Sequence, residues 1–261
     1  MHIFVINLKG STERRRHMED ALGALKLPFE IIEAVDGRAF DPDNLPHYNG
    51  ILRRLTAGQD LMKEEIGCIL SHRKIYQRMI DDNIPCAVIL EDDAILSEDF
   101  PDILQKLNNL TVKWDMIRFL GRPKCEQQNR TVMPIDTKYY LTRVIKPFGG
   151  AYTYMLTKTA AQKLLQMSEK NWMPIDTLHG QSWRTKFAIF SVTPSPACAD
   201  NVIASTIDDT RWKKNNQLSG WEKTVYPLTR FLYKLYVMFC NTYMRLKTWP
   251  IDAALRKSSA K

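Results

Sequence analysis

The sequence has no C-x-x-C pair, no internal repeat, no low-complexity tract and no uninterrupted apolar stretch of membrane-spanning length. Its five cysteines, Cys68, Cys86, Cys125, Cys198 and Cys240, are odd in number and widely spaced. That spacing supplies neither the paired thiols of a structural zinc site nor a disulfide framework, and it suits a reducing cytosol. Residues 1–7 open as a strand with no basic leader, which argues against a secretory signal. At 261 residues and 44% hydrophobic content, the chain can hold one sizeable domain, alone or with an appendage.

Excess charge is also missing from most of the chain. Residues 211–261 carry eleven Lys or Arg against Glu222 and Asp252, so this tail is +9 and residues 1–210 are −1. We therefore divide the chain into a body over 1–210 and a basic tail over 211–261 that is expected to seek an anionic surface. On a helix at about 100° per residue, Lys223, Arg230, Lys234, Asn241, Arg245 and Thr248 fall within roughly 60°. Phe231, Leu232, Leu235, Tyr236, Met238, Phe239 and Leu246 occupy the rest. Lys234 and Arg245 interrupt the run well short of the about 20 residues that a span needs. Two readings remain: a helix lying flat in an anionic inner leaflet with Trp221 and Trp249 near its ends, or one buried against the body with a solvated basic edge. Confinement of the charge to one tail, beside so wide an apolar arc, argues against a nucleic-acid partner.

Strand and helix patterns alternate along the body. Residues 2–7 read as a buried strand, 11–26 as a helix with Met18, Leu22 and Leu25 on one side, and 29–35 as a second strand. The Gly, Pro and Asn content of residues 36–58 predicts an irregular surface segment. Residues 60–81 place Leu61, Ile66, Ile69, Ile75, Tyr76 and Met79 at helical spacing, and the run Cys86-Ala87-Val88-Ile89-Leu90 follows as a strand. A helix should start near Ser97 or Asp99, with Pro101 in its first turn, and run towards Leu110. Residues 115–120, 139–145, 151–156 and 187–192 are further strands, with a polar stretch over 121–137. Thr157 is placed to cap a helix through Met167, and Pro174-Ile175-Asp176 lies in a short turn. This alternation predicts an α/β domain with a mainly parallel sheet.

The run 86–90 ends in Glu91-Asp92-Asp93. Three carboxylates at the carboxyl end of a buried strand carry a large desolvation cost, which a divalent cation relieves most simply. Ligands of open α/β sheets collect at that end. Along an extended strand Glu91 and Asp93 point to one side and Asp92 to the other. Two converging carboxylates suit Mn2+ or Mg2+, hard ions that leave positions open for a diphosphate. The plainer reading is that Asp92 or Asp93 caps the next helix.

Residues 3–8, Glu65-Ile66-Gly67-Cys68 leading to Ser71-His72, Leu90-Glu91-Asp92-Asp93, Gly150-Ala151-Tyr152 and Pro174-Ile175-Asp176 occur in an order that resembles glycosyltransferase family 25, the lipooligosaccharide and collagen galactosyltransferase group. The resemblance implies a nucleotide-sugar transferase with the Rossmann-like sheet of the type A glycosyltransferases, a divalent metal at the acidic motif and inversion at the sugar carbon. It implies that Asn7, Leu8 and Arg14 face the nucleotide of a UDP-sugar donor. Asp93 and Glu91 are the expected metal ligands, and Glu91 or Asp92 can instead meet the ribose or a metal-bound water. Asp176 is the expected general base, with Asp115 in reserve.

Each assignment has a plainer counterpart. Arg14 can be a solvated helix residue, and Asp36, a candidate for the ribose hydroxyls, belongs to an Asp36-Gly37 pair that forms turns unaided. His72 either supports the site by a hydrogen bond or is a satisfied core histidine. His179 is either a further metal ligand or an exposed loop residue. Gly150 would let backbone approach the donor, and Tyr152 offers a flat face to a pyranose, unless the glycines only make a bulge. The expectation is a cytoplasmic hexosyltransferase, peripheral on the inner face of a bacterial cytoplasmic membrane. It would move galactose from UDP-galactose to a lipid-linked oligosaccharide such as lipooligosaccharide. A basic lipid- or nucleic-acid-binding module and a nucleotidyltransferase are the alternatives.

Overall fold

The computed structural model describes residues 1–40, 47–122, 126–145, 149–199 and 218–259. In chain order they form β1 (His2–Asn7), α1 (Thr12–Ala24), β2 (Glu30–Glu33), a 3-10 turn (Gly37–Ala39), α2 (Gly50–Ala57), α3 (Lys63–Asp81) and β3 (Cys86–Glu91). There follow β4 (Ala94–Leu96), α4 (Phe100–Asn108), β5 (Met116–Arg118), β6 (Arg130–Pro134), β7 (Tyr140–Arg143) and β8 (Thr153–Thr157). The chain ends with α5 (Lys158–Met167), α6 (Ile175–Gly180), α7 (Ser182–Thr185), β9 (Ile189–Thr193), β10 (Ala197–Ala199) and α8 (Gly220–Ser259).

Eight strands make one sheet in the order β2-β1-β3-β8-β5-β9-β7-β6, and β4 pairs with β10 apart from it. Six of the eight run in one direction; β7 and β8 run against them. The sheet is therefore mixed, with parallel pairs at β2-β1-β3, where the β-α-β start supplies the first, and at β5-β9.

Alternation along the strands splits the core into two layers. Phe4 and Ile6, Ala87 and Ile89, and Tyr154 and Leu156 pack on one face against Ile66, Ile69 and Ile75 of α3 and Leu164 of α5. Ile3 and Val5, Val88 and Leu90, and Met155 face the other way, against Met18 and Leu22 of α1 and Ile103 and Leu107 of α4. Helices thus cover both faces of the central strands.

Several local expectations change. The segment 36–58 holds α2, which Asn49 caps by accepting from Leu52 N at 3.0 Å and which ends at Gly58 with φ of 85°. The polar stretch 121–137 contains β6, hidden from pattern reading by Pro134 at its end and by a run, Arg130-Thr131-Val132-Met133, that does not alternate. After the acidic triplet the chain enters β4, and the next helix starts beyond Asp99, so neither Asp92 nor Asp93 is a helix cap. Pro174 opens the helix α6 rather than a simple turn. The expected body–tail boundary at residue 210 and Cys125 lie outside the described residues.

The tail forms α8, a helix of 40 residues that packs on α2 and β6. Its orientation reverses the buried-apolar-face reading. Arg54 links Asp60 to Glu222, with its Nε 2.8 Å from Glu222 Oε1. Thr229 Oγ1 donates to Leu55 O at 2.6 Å and Arg230 donates to Thr56 O. Further along, Asp252 is fully buried, accepting from Arg130 Nε at 2.8 Å and from Arg143 Nη2 at 2.9 Å. Ion pairs and hydrogen bonds therefore fasten the helix, helped by Tyr233 and Leu255 against the core, while most of its large apolar residues look outward.

Replacing Asp252 leaves two arginines buried without their shared carboxylate. We expect Asp252→Ala to lower the unfolding free energy by about 3–5 kcal/mol, read by urea denaturation. A loss of about 1 kcal/mol or less, the worth of a surface pair, would show that this triad does not anchor the helix.

Candidate active site

The carboxyl ends of β1, β2 and β3 open into a cleft of about 350 Å3 lined by Leu8, Arg14, Asp36, Cys68, His72 and the three acids, among others. This is the end of a parallel sheet where ligands bind, because loops diverge there and strand backbone groups are exposed.

The parity of β3 distributes the acids. Val88 and Leu90 face α1, and Asp92 continues that register: it accepts from Asn7 Nδ2 at 2.7 Å and Arg14 Nη1 at 3.0 Å. Asn7 Nδ2 also donates to Ser11 O at 3.1 Å, which ties the end of β1 to the start of α1. Glu91 continues the register of Ala87 and Ile89 and meets α3, with its Oε1 3.3 Å from His72 Nε2 and 3.9 Å from Cys68 Sγ. Asp93 is left without such an answer. Its Oδ1 is buried with no hydrogen-bond partner, and burial, then Glu91 and Asp92, push its carboxyl up to about 7 although Arg14 pulls the other way.

Helix α3 reaches this site along two neighbouring stripes, each at a spacing of four residues. On the first, Ser71 Oγ accepts from Val35 N at 2.8 Å and donates to Gly67 O at 2.7 Å, fixing the segment after β2. A Cβ on Gly67 would sit 2.5 Å from Val35 O and 2.6 Å from Gly37 N, so only glycine lets that backbone lie on the helix. On the second stripe, Cys68 and His72 meet Glu91, and Tyr76 lies one turn deeper. Burial first, then Glu91, holds the Cys68 thiol well above its usual range, so it stays protonated and donates.

The second stripe continues into the core. His72 Nδ1 is 2.7 Å from Tyr154 Oη, the two tyrosine hydroxyls are 3.2 Å apart, and Tyr76 Oη is 2.7 Å from His179 Nε2. One tautomer assignment satisfies every link. His179 donates to Tyr76, Tyr76 to Tyr154, Tyr154 to His72, and His72 through Nε2 to Glu91. His72 is thus both a core histidine and a support for the site.

His179 is corrected on both expectations. It is fully buried in α6 rather than exposed, and its Nε2 is committed to Tyr76 rather than turned to Glu91 and Asp93. Among the described residues, the histidine, thiol and carboxylate atoms gathered within 4.8 Å of one another are those of Cys68, His72 and Glu91. With the thiol protonated and His72 held by Tyr154, that trio acts as a pair of donors orienting Glu91.

The antiparallel β8 brings the remaining motif to the cleft. Thr153 opens β8 opposite Leu90, and Glu91 N donates to Tyr152 O at 2.8 Å, so the segment before β8 lies beside the acids. Gly150 has φ of 104°, and its N–H donates to Asp176 Oδ2 at 2.9 Å while its carbonyl accepts from Arg118 Nη2 at 2.6 Å. A Cβ on Gly149 would come 2.7 Å from the same Asp176 oxygen. Tyr152 is 4% exposed with Arg122 over its ring at 6.0 Å, which removes the open face expected for a sugar. Asp176 is half-buried in the first turn of α6 and its charge is felt at Cys68. Asp36 lines the cleft and caps the 3-10 turn, where Arg38 beside it holds the carboxyl below its usual range. Asp115 is set aside: Met116 lies level with Ala87 through their common partner Leu156, at the opposite end of the sheet from Glu91.

The structure brings Asn7, Leu8, Arg14, Asp36, Glu91, Asp92 and Asp93 around one cleft, with Gly150, Tyr152 and Asp176 on its β8 side. Ser71, Tyr76, Arg118 and Tyr154 join it without having been singled out for the site. The four-residue spacing of Cys68, His72 and Tyr76 was the available signal, and the arginine left none.

Acids gathered where three parallel strands end define a ligand-binding α/β domain. The family model for glycosyltransferase family 25 (LPS biosynthesis protein) matches residues 1–179, and the chain belongs to that family. It is 26% identical to a rat protein named probable inactive glycosyltransferase 25 family member 3, over 84% of this chain and 41% of that one. It is 27% identical to zebrafish procollagen galactosyltransferase 1 over 67% of this chain and 30% of the relative. With human procollagen galactosyltransferase 2 the identity is 31% over 62% of this chain and 27% of the relative. The chain thus spans well under half the length of these curated relatives. A solved glycosyltransferase involved in glycosylation of the major capsid of PBCV-1 is similar at a TM-score of 0.34, with 10% identity over 70% of this chain and 68% of that one.

Burial first, then His72 and Arg118, hold His179 well below the usual imidazole range, so it is neutral when folded. Below about pH 6.5 the unfolded chain takes a proton that the folded chain refuses, and stability falls with pH. We expect the melting temperature to drop more steeply between about pH 7 and about pH 5 in the wild type than in His179→Gln. Parallel curves would assign the acid sensitivity to other groups.

Proposed function

We propose that this chain is an inverting glycosyltransferase that moves a hexose, galactose from UDP-galactose, to the oligosaccharide of a lipid-linked glycan such as lipooligosaccharide. Its proposed setting is the cytoplasm, on the inner face of a bacterial cytoplasmic membrane. Family membership supports the transfer chemistry, and the names of the procollagen galactosyltransferases support galactose. The observation that carries the reading is the uneven treatment of the acids: Asp92 is paired with Arg14 and hydrogen-bonded by Asn7, whereas Asp93 is half-buried, crowded by Glu91 and Asp92, and keeps Oδ1 without a hydrogen-bond partner.

That unpartnered oxygen fits a cation. Glu91 and Asp93 would hold Mn2+ or Mg2+ through hard oxygen atoms, and when bound the ion would supply charge to offset that gathering on a departing diphosphate. The protein's own groups then have separate tasks. Cys68 and His72 fix the carboxylate of Glu91, and Asp92 holds Arg14 at the mouth of the cleft, where its positive charge would favour a phosphate. Leu8 and Asp36 flank the position proposed for the nucleoside, with Asp36 to accept from the ribose hydroxyls. Asp176 is the proposed base, drawing the proton from the acceptor hydroxyl as the sugar carbon is attacked. Its hydrogen bond from Gly150 holds it in place, and Oδ1, which accepts from Thr177 at 3.2 Å, has a second lone pair for the task.

Because one relative is named probable inactive, turnover is the first measurement. Full-length protein with UDP-galactose, Mn2+ and a lipooligosaccharide acceptor should release UDP, and chelation should stop it. Release of pyrophosphate would instead indicate nucleotidyl transfer. Asp93→Asn should reduce kcat by roughly 10²-fold or more, since charge stabilisation at the leaving group is lost. Asp176→Asn keeps the acceptor for Gly150 but not the base, and should lower kcat by about 10²–10⁴-fold with little change in KM. A change confined to KM would make Asp176 a positioning residue for the Gly149-Gly150 segment.

A further inference from the structure

We infer that the outward face of α8 is a docking surface for an anionic lipid bilayer, which the helix meets lying flat. The surface is separate from the chemistry of the cleft and does not rest on it.

The first observation is which residues the helix turns inward. Both of its acids, Glu222 and Asp252, are buried and paired with arginines of the body. The exposed charges of α8 are therefore all basic: Lys223, Lys234, Arg245, Lys247 and Lys257. The second observation is the apolar face between them. Leu228, Phe231, Leu232, Phe239 and Leu246 are each more than half exposed, the last two at 71% and 68%. At helical spacing these residues form a single stripe, with Lys234 and Arg245 on one flank and Lys247 on the other. Trp221 at the first turn and Trp249 towards the other end are 59% and 55% exposed, where indole suits the level of the headgroups.

An apolar stripe flanked by cations, with tryptophans towards its ends, is the pattern of an interfacial helix. No helix among the described residues is long and apolar enough to cross a membrane. A second copy fits less well, because apposing two such faces brings ten exposed cations together with no exposed acid on either helix. An anionic bilayer satisfies both the apolar stripe and the uncompensated charge.

The test uses the full chain in co-sedimentation with vesicles of phosphatidylcholine alone and of phosphatidylcholine mixed with phosphatidylglycerol. The wild type should bind the mixed vesicles at least about tenfold more tightly than the neutral ones, and less tightly as salt rises. Phe239→Glu with Leu246→Glu should weaken binding by about tenfold or more at an unchanged melting temperature, since neither side chain is packed. Lys234→Glu with Lys247→Glu should weaken binding to the anionic vesicles while leaving any residual binding to neutral ones unchanged. Absence of wild-type binding, or binding indifferent to both double variants, would overturn the inference. So would a concentration-dependent dimer, seen by light scattering and abolished by Phe239→Glu with Leu246→Glu, in a protein that ignores vesicles.

Discussion

Three carboxylates at the end of a strand buried on both faces are the constraint to which the rest of this fold answers. Charge that cannot be solvated must be paired or removed, and the two helical layers each contribute a solution. From the α1 side come Arg14 and the amide of Asn7 for Asp92; from the α3 side come the thiol of Cys68 and the imidazole of His72 for Glu91. Asp93 receives neither. A fold that only needed stability would have neutralised the third acid or dispensed with it. Leaving it crowded preserves an affinity for positive charge at one point of the cleft, which is what the proposed diphosphate site requires.

Helix α3 is where stability and site preparation become one property. Gly67 and Ser71 clamp the segment that carries Asp36, while Cys68 and His72 orient Glu91. Behind His72, Tyr154, Tyr76 and His179 extend the same chain of hydrogen bonds into the core. Burial keeps both phenols protonated and His179 neutral, so the chain carries dipoles rather than charges. A buried network with every link made is rigid, and rigidity at Glu91 is useful where an oxygen must hold its position to a fraction of an ångström.

Much of this was legible because it follows from periods. The two-residue repeat of β3 already separates Asp92 from Glu91, whereas Asn7 meets the acids because β1 pairs with β3, which no local pattern announces. What stayed hidden depended on long-range pairing. Nothing local says that β8 runs against its neighbours, yet that direction is what places Gly150 and Asp176 beside Glu91 instead of at the far end of the sheet. His179 misled for a related reason. A histidine three residues from a candidate base looks like site chemistry, but the short helix α6 turns it into the core. β6 was missed because its pairing with β7, not its composition, makes it a strand.

The tail shows how few residues decide the orientation of an amphipathic helix. Periodicity gives two faces and leaves open which one meets the body. Burying Leu228, Phe231, Leu232, Phe239 and Leu246 would each be worth about 1.5–3 kcal/mol, so the observed orientation forgoes on the order of 10 kcal/mol. Buried ion pairs rarely return that much once desolvation is counted. Arg130 on the edge strand β6 and Arg143 on its neighbour β7, and Arg54 on α2, nevertheless wait for Asp252 and Glu222, and turning the helix over would strand both sets of charges inside. The pairs therefore act through specificity: they make the wrong face costly. The forgone apolar free energy remains available to whatever covers the outer face, and a bilayer interface can recover it without altering the fold that holds the cleft.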